Sequence, residues 1–317
     1  MSGVAGKRVI YVLTGCTACG KTDLSLAWAR RFGAEIVSGD SLLFYRGMDI
    51  GTAKPKREEL AAVPHHLIDI VDPRERMDVK RYVTLARAAV EAIEARGRRV
   101  LVVGGSGFYL KAFWANVVDD VAVDPALRRD LEARLAAEGL ESLVAWLKRL
   151  NPDGTGRVDL RNPRRVVRAL ERCLASGLTL QALEARMATQ PGVFSDHTVR
   201  IVEIAREPEV LRQRIRRRVE VMLAEGLVDE VRRLMALGFE RNPSAAGAIG
   251  YREVVEWIRA GESDLEALAE RIAANTWKLV RKQRTWFRRQ LPPHKVVGLD
   301  RTEGEPDIEC LFDLPGA

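Results

Sequence analysis

Gly15, Cys16, Thr17, Ala18, Cys19, Gly20, Lys21 and Thr22 commit this 317-residue chain to a definite chemistry more firmly than any other segment. They fit G-x-x-x-x-G-K-[ST] and lie between an apolar run, residues 8–14, and residues 21–31, where Leu24, Leu26, Ala27 and Trp28 suit a helix packed on a sheet. That is the strand–loop–helix setting the motif requires. There, backbone N–H groups and the helix N-terminus cradle two linked phosphates, Lys21 adds a point charge, and the Thr22 hydroxyl can bind Mg²⁺. The motif leaves open whether the diphosphate belongs to ATP. A phosphoryl-transfer site also takes an Asp, directed at Mg²⁺, from the end of an apolar strand. Here the best such strand, residues 100–103, ends in Gly104, Gly105 and Ser106, and Asp69 follows only the short pair Leu67 and Ile68. The incomplete set leaves room for a loop that holds a diphosphate as a leaving group.

Asp40 follows the short strand of residues 35–38 and stands between Gly39 and Ser41, which puts its carboxylate at the carboxyl edge of a sheet beside the loop. A lone Asp at a strand end is a turn residue or a general base, and spacing does not choose. Arg212, Arg214, Arg216, Arg217 and Arg218 cover several faces of one helix; Arg214 and Arg218, four apart, share a face and suit a diphosphate contact. Cys16 and Cys19 have CxxC spacing but no second ligand pair, which argues against a metal site. Cys19, just before a helix N-terminus and near Lys21, reads as a reactive thiol that diphosphate would protect. His65 and His66 are adjacent and face opposite sides of a strand, while His197 and His294 are isolated, so no shared histidine site is expected. Residues 271–289 interleave Arg and Lys with Trp277, Trp286 and Phe287, either as an RNA-contacting face with stacking aromatics or as an amphipathic helix with its aromatics inside.

The elements that must position these groups alternate strand with helix: strands at 8–14, 35–38, 66–71 and 99–103, with helices at 21–31 and 79–96. This is an α/β pattern, a P-loop NTPase-like parallel sheet with flanking helices, whose ligands sit at the carboxyl ends of strands. Residues 124–187 hold no convincing strand and read as an inserted all-helical subdomain broken near 151–154 and at Gly177. A strand returns at 199–205, followed by a helical C-terminal region and a strand-like piece at 295–298. The expected division is a first core part at 1–115, a helical insertion at 116–197, core completion with a basic helical region at 198–291, and a tail at 292–317. The net charge of +7 favours phosphate-rich partners. No apolar run approaches a membrane span or a secretory segment, and four cysteines make no disulfide scaffold, so the expectation is a cytoplasmic chain, monomeric by default.

Read with the P-loop, the segment Ser38-Gly-Asp-Ser-Leu-Leu-Phe-Tyr-Arg-Gly-Met-Asp-Ile-Gly-Thr-Ala-Lys-Pro55 resembles the tRNA dimethylallyltransferase (tRNA isopentenyltransferase) family. The resemblance continues through Pro64-His-His-Leu-Ile-Asp69, Gly104-Gly-Ser-Gly-Phe-Tyr-Leu-Lys111, Asn162-Pro-Arg-Arg165, Ala248-Ile-Gly-Tyr-Arg252 and Arg281-Lys-Gln-Arg-Thr-Trp286, in order along nearly the whole chain. It implies transfer of the five-carbon group of dimethylallyl diphosphate to the exocyclic amine of adenosine at tRNA position 37, in the anticodon stem-loop, with Mg²⁺ as cofactor and diphosphate as by-product. It also implies Asp40 as general base, with Ser106 and Arg218 completing the catalytic set around the diphosphate. The tRNA would meet Asp40, Ser41, Leu42, Leu43 and Ser106 at the target base, and Arg128, Arg164, Arg165, Val166, Val167 and Arg168 on the insertion. A further tRNA segment would be Gly247, Ala248, Ile249, Gly250, Tyr251 and Arg252. The chain departs from the family's commonest pattern at Cys16 (usually Pro), Cys19 (usually Ser) and Ser106 (usually Thr), the last keeping its hydroxyl. The competing readings are a prenyltransferase for free adenine nucleotide, for which a helical insertion would be superfluous, a P-loop small-molecule kinase, which lacks its strand-end Asp, and a non-catalytic RNA-binding module.

Overall fold

Strand β1 (Arg8–Gly15) is apolar on both faces, with Ile10, Tyr11, Val12 and Leu13 all buried, as a central strand of a parallel sheet must be. The computed structural model describes residues 8–299, 307–312 and 314. Six parallel strands pair in the order β3-β2-β4-β1-β5-β6, with β2 at Ala34–Ser38, β3 at His65–His66, β4 at Arg99–Gly104, β5 at His197–Ala205 and β6 at Lys295–Gly298. Val12 aligns with Val102 on one side and Ile201 on the other, so β1 ends at the point where chain order reverses, the place where open α/β sheets bind ligands.

Helix α1 (Lys21–Phe32) starts directly at the loop and ends on Gly33, whose left-handed φ of 63° suits a residue without a Cβ. It buries Leu24, Leu26 and Trp28, and α3 (Val79–Ala95), capped by the Asp78 side chain, buries Tyr82, Val83, Val90 and Ile93. Between them lies α2 (Arg57–Ala62), and α4 (Gly107–Lys111) follows β4. After β5 come α8 (Pro208–Ala224), α9 (Leu227–Ala236), α10 (Pro243–Ala246), α11 (Tyr251–Ala260) and α12 (Leu265–Gln290), with α12 packed along α8. These elements belong to one compact unit, the described residues up to Ala115 and from Val193 onward.

The second unit, residues 116–192, is helical: α5 (Pro125–Leu150), interrupted at Gly139 where φ is 79°, α6 (Pro163–Ser176) and α7 (Leu180–Thr189). Its core is Leu131, Leu143, Leu147, Val166, Leu170 and Cys173. The buried Asn151 side chain ties the helices, donating to Leu147 O (2.8 Å) and accepting the Leu180 N–H (2.6 Å). No helix among the described residues is long and apolar enough to cross a membrane.

Three sequence expectations need correction. The strand expected at 66–71 shrinks to His65–His66, because Leu67 (φ 63°) and Asp69 (φ 56°) turn the chain so that Asp69 and Ile70 donate to Leu43 O and Phe44 O instead of extending β3. The helical insertion ends at 192 rather than 197: Phe194 stacks on Phe113 (4.6 Å), and β5 begins at His197. The tail expected from 292 is not separate, since β6 pairs with β5 and Phe312 packs its ring on Tyr11 and Trp28 at 5.1 Å each. Residues 300–306, 313 and 315–317 of that tail lie outside the described residues.

Candidate active site

The loop after β1 is shaped by close approach. A Cβ on Gly15 would lie 2.4 Å from Ile204 O, so β5 can pack there only against glycine. Ala18 (φ 64°) and Gly20 (φ 99°) are left-handed, and the Cys19 N–H closes a turn onto Cys16 O (3.4 Å). Gly20 supplies no side-chain cap, so the first-turn N–H groups of α1 are left for a ligand or water.

Cations gather on this loop. The Lys21 Nζ donates to Gly15 O (2.9 Å) and Cys16 O (2.8 Å), Arg206 Nε donates to Cys19 O (2.8 Å), Arg214 Nε donates to Ala18 O (2.8 Å), and the Arg218 guanidinium reaches Thr17 Oγ1 at 3.5 Å. Lys21, Arg214 and Arg218 make no ion pair within 4.0 Å among the described residues. Burial, and then the charge of Arg214, hold the Arg218 pKa below its ordinary value. Like charges this close leave a field that an anion with two or more negative charges would relieve.

Asp40 and Ser106 are brought together by the ends of β2 and β4. The Gly39 N–H donates to Val103 O (2.8 Å), and a Cβ on Gly104 would lie 2.3 Å from Gly39, so two glycines let the strand ends meet. Ser106 Oγ accepts the Ser41 N–H (3.0 Å) and lies 3.1 Å from Ser41 Oγ, while Asp40 Oδ1 accepts the Leu42 N–H (3.1 Å). Burial raises the Asp40 pKa above the usual aspartate value, opposed by the Leu42 N–H and the charges of Lys21 and Arg218. A carboxylate held between desolvation and cations is a suitable proton acceptor.

A cavity of about 1060 Å³ opens from the loop, lined by Ala18, Gly20, Thr22 and Asp23, by part of the segment 49–60, and by Arg214, Arg217, Arg218 and Met222 of α8. Among the described residues no group of three or more His, Cys, Asp or Glu could hold a metal unaided. The residues present fit Mg²⁺, which takes one or two protein ligands and fills its shell with phosphate oxygens and water; Thr22 is the hydroxyl at that place. Asp69, the other candidate for Mg²⁺, pairs with Lys54 instead.

Sequence reasoning missed Gln283, Arg206 and Glu230. Gln283 of α12 accepts the Thr17 N–H (3.1 Å) and donates to Gly105 O (2.9 Å), joining the loop to the end of β4. Arg206 had a legible signal, since it directly follows β5 at the carboxyl edge of the sheet.

The remaining positions divide by burial. Ser41, Leu42 and Leu43 are partly exposed, anchored by buried Phe44 and Tyr45. On the helical unit Arg128, Arg164, Arg165 and Arg168 are exposed, Arg128 and Arg168 being held by buried Glu171 at 3.0 and 3.1 Å. Val166 and Val167 face that unit's core, which confines any RNA contact there to backbone atoms. Within 247–252, Gly247 is exposed, Ile249 and Arg252 are partly so, and Ala248, Gly250 and Tyr251 are buried, so the Tyr251 side chain is not offered to RNA. Phe287 is buried, as in the amphipathic-helix alternative, whereas Trp286 and Trp277 are partly exposed, Trp286 packing against Gly107 and Trp277 lying 4.2 Å under the Arg212 guanidinium. His66, His197 and His294 each meet a carboxylate, Glu35, Glu94 and Glu203 respectively, and His65 meets Val63 O.

The reactive thiol expected at Cys19 is corrected by burial: Cys16 and Cys19 are 5% and 1% exposed, and burial pushes the Cys16 thiol up to about 12. Iodoacetamide should therefore label the exposed Cys310 in the folded protein and reach Cys16 and Cys19 only after unfolding, as peptide mass spectrometry would record. Fast labelling of Cys19 in the native chain would contradict the packing described.

The family model described as IPP transferase matches residues 43–290. A tRNA dimethylallyltransferase of Opitutus terrae is 58% identical over 291 residues, 92% of this chain and 93% of that one. Another, from Geobacter metallireducens, is 41% identical over 285 residues, 89% and 90% of the two chains. Among solved structures, the full-length tRNA isopentenylpyrophosphate transferase of Bacillus halodurans superposes with a TM-score of 0.65 at 33% identity, covering 92% of this chain and 90% of that one. A eukaryotic dimethylallyltransferase acting on tRNA gives a TM-score of 0.76 at 26% identity over 88% and 70%. With the loop, the cations and Asp40 on one sheet edge, and with relatives this similar over nearly its whole length, the chain belongs to the IPP transferase family, the tRNA dimethylallyltransferases.

Proposed function

We propose that this chain transfers the dimethylallyl group of dimethylallyl diphosphate to the exocyclic amine of adenosine at tRNA position 37, releasing diphosphate. The observation that carries the reading is the pairing of Asp40 with a loop whose cations Lys21, Arg214 and Arg218 have no carboxylate partner within 4.0 Å among the described residues. The first-turn N–H groups of α1 with Lys21, Arg214 and Arg218 bind the diphosphate, and Ser106, bonded to Ser41, holds the base-receiving segment against it. The amine nitrogen forms a bond to the allylic carbon, the carbon–oxygen bond to diphosphate breaks with its electron pair leaving on oxygen, and the amine proton passes to Asp40. Adenine's amine is a weak nucleophile because its lone pair is delocalised into the ring, so proton acceptance by Asp40 lowers the barrier. Lys21 and Arg218 meet charge that grows on the leaving group. Thr22 would hold Mg²⁺ together with diphosphate oxygens, and the ion would neutralise part of that charge.

The target base has to leave its stack to reach Asp40. An anticodon stem-loop should be prenylated, whereas a duplex of the same sequence should be modified at least about a hundredfold more slowly, since pairing energy opposes extrusion. Equal rates would remove the reading. The exposed Arg164, Arg165 and Arg168 favour RNA over a free nucleotide. Affinity for tRNA, measured by filter binding, should weaken at least about tenfold between roughly 50 and 200 mM salt as counterions are released; affinity independent of salt would contradict phosphate contacts. We take the working form to be a cytoplasmic monomer.

A further inference from the structure

Glu230 of α9 is only 2% exposed and makes no ion pair among the described residues. Its Oε2 accepts the N–H groups of Asp49 (3.1 Å) and Ile50 (2.8 Å), and its Oε1 accepts the Gly51 N–H (3.2 Å) and the Tyr251 hydroxyl (2.6 Å). A buried carboxylate is tolerated when donors fill its lone pairs, and here three consecutive backbone amides and a phenol do so. Burial, and then the Glu230 charge, push the Tyr251 pKa up, so the phenol remains a donor throughout the working pH range. The Tyr251 ring lies so close to Gly51 that a Cβ there would be 2.5 Å from Cε2. Lys54, its side chain 4% exposed, secures the other end of the segment by donating to Tyr45 O (2.9 Å) and pairing with Asp49 (2.5 Å) and Asp69.

Asp49, Ile50, Ala53 and Lys54 line the same cavity as Ala18, Gly20, Arg214 and Arg218. We infer that Glu230 and Tyr251 are positioning residues for the diphosphate substrate: by clamping the backbone at 49–51 they fix one wall of the cavity onto which the phosphate loop opens. The inference rests on the proposed reaction and gives Tyr251 a part in it that involves no contact with tRNA. Unclamped, three amides would have to find water or other partners, and the wall would lose its fixed distance from the loop.

The test is steady-state prenylation with dimethylallyl diphosphate varied at saturating tRNA, alongside tRNA binding measured separately, for wild type, Tyr251→Phe and Glu230→Gln. Tyr251→Phe should raise KM for the diphosphate roughly three- to tenfold, the range for one lost hydrogen bond of ordinary net strength. Glu230→Gln should raise it about tenfold or more, because its amide turns N–H groups toward donors it cannot accept from. In both, kcat should fall less than KM rises, and tRNA affinity should stay within about twofold of wild type, since no RNA contact is removed. If Glu230→Gln does not fold, Tyr251→Phe, which loses a single hydroxyl, decides the matter. A wild-type KM in the folded variants overturns the inference, as does weakened tRNA binding with unchanged KM. Absence of any transfer by the wild-type chain overturns the reaction and the inference with it.

Discussion

Asp40→Asn should slow single-turnover prenyl transfer by about 10²–10⁴, the usual contribution of a general base, while dimethylallyl diphosphate still binds. The substitution preserves size and the Oδ1 acceptor for the Leu42 N–H, so the turn that holds Ser41 against Ser106 survives and only proton acceptance is lost. The active form is the carboxylate, and burial raises the Asp40 pKa. On the acid side the wild-type rate should therefore rise with pH, with its midpoint above the ordinary aspartate range, and Asp40→Asn should lack that limb. The sign for stability runs the other way. With the folded-state pKa raised above the unfolded value, the contribution of Asp40 to stability is present at low pH and lost as pH rises through the folded value. Asp40→Asn, with no charge to bury, should melt no lower than wild type at neutral pH while being nearly inactive. A folded, tRNA-binding Asp40→Asn with wild-type turnover would return Asp40 to a turn residue.

Lys21→Ala should damage binding and catalysis together. The Nζ contacts to Gly15 O and Cys16 O hold the cation over the loop, where an incoming diphosphate would draw it from carbonyls to phosphate oxygens. Because the charge on the diphosphate increases as the allylic bond breaks, the lost interaction is stronger in the transition state than in the ground state. KM should rise and kcat should fall by about 10²–10³, the scale for removing one preorganised stabiliser of developing charge. Arg214 and Arg218 remain and hold the residual activity above background. Rapid-quench kinetics at saturating tRNA would separate the two effects; a raised KM with unchanged kcat would show that Lys21 only binds.

The part of the site written in local spacing was legible. An apolar run, two spaced glycines and Lys21 define strand, loop and helix within 25 residues (8–32), and Asp40 follows a short strand into a Gly-Asp-Ser turn. What local spacing could not show were partners supplied by topology: Gln283 meets Thr17 across 266 positions, and Glu230 meets Ile50 across 180. The stretch 67–71 has the apolar content of a strand, yet left-handed residues at Leu67 and Asp69 direct its amides to Leu43 and Phe44. Treating 164–168 as a block hid the helix face: Arg164, Arg165 and Arg168 point outward on α6, while Val166 and Val167 point into the core. Likewise, Tyr251 in a motif implied to touch RNA is buried, because its hydroxyl belongs to the carboxylate of another helix.

The most direct measurement is transfer of radiolabel from dimethylallyl diphosphate, with Mg²⁺, to an unmodified tRNA transcript bearing adenosine at position 37 and to the same transcript with guanosine there, with radiolabelled ATP in a parallel reaction. Label should enter the adenosine transcript as N6-dimethylallyladenosine, with release of diphosphate, and should enter neither the guanosine transcript nor any product from ATP. Phosphoryl transfer from ATP without prenylation, or equal labelling of the guanosine transcript, would contradict the account.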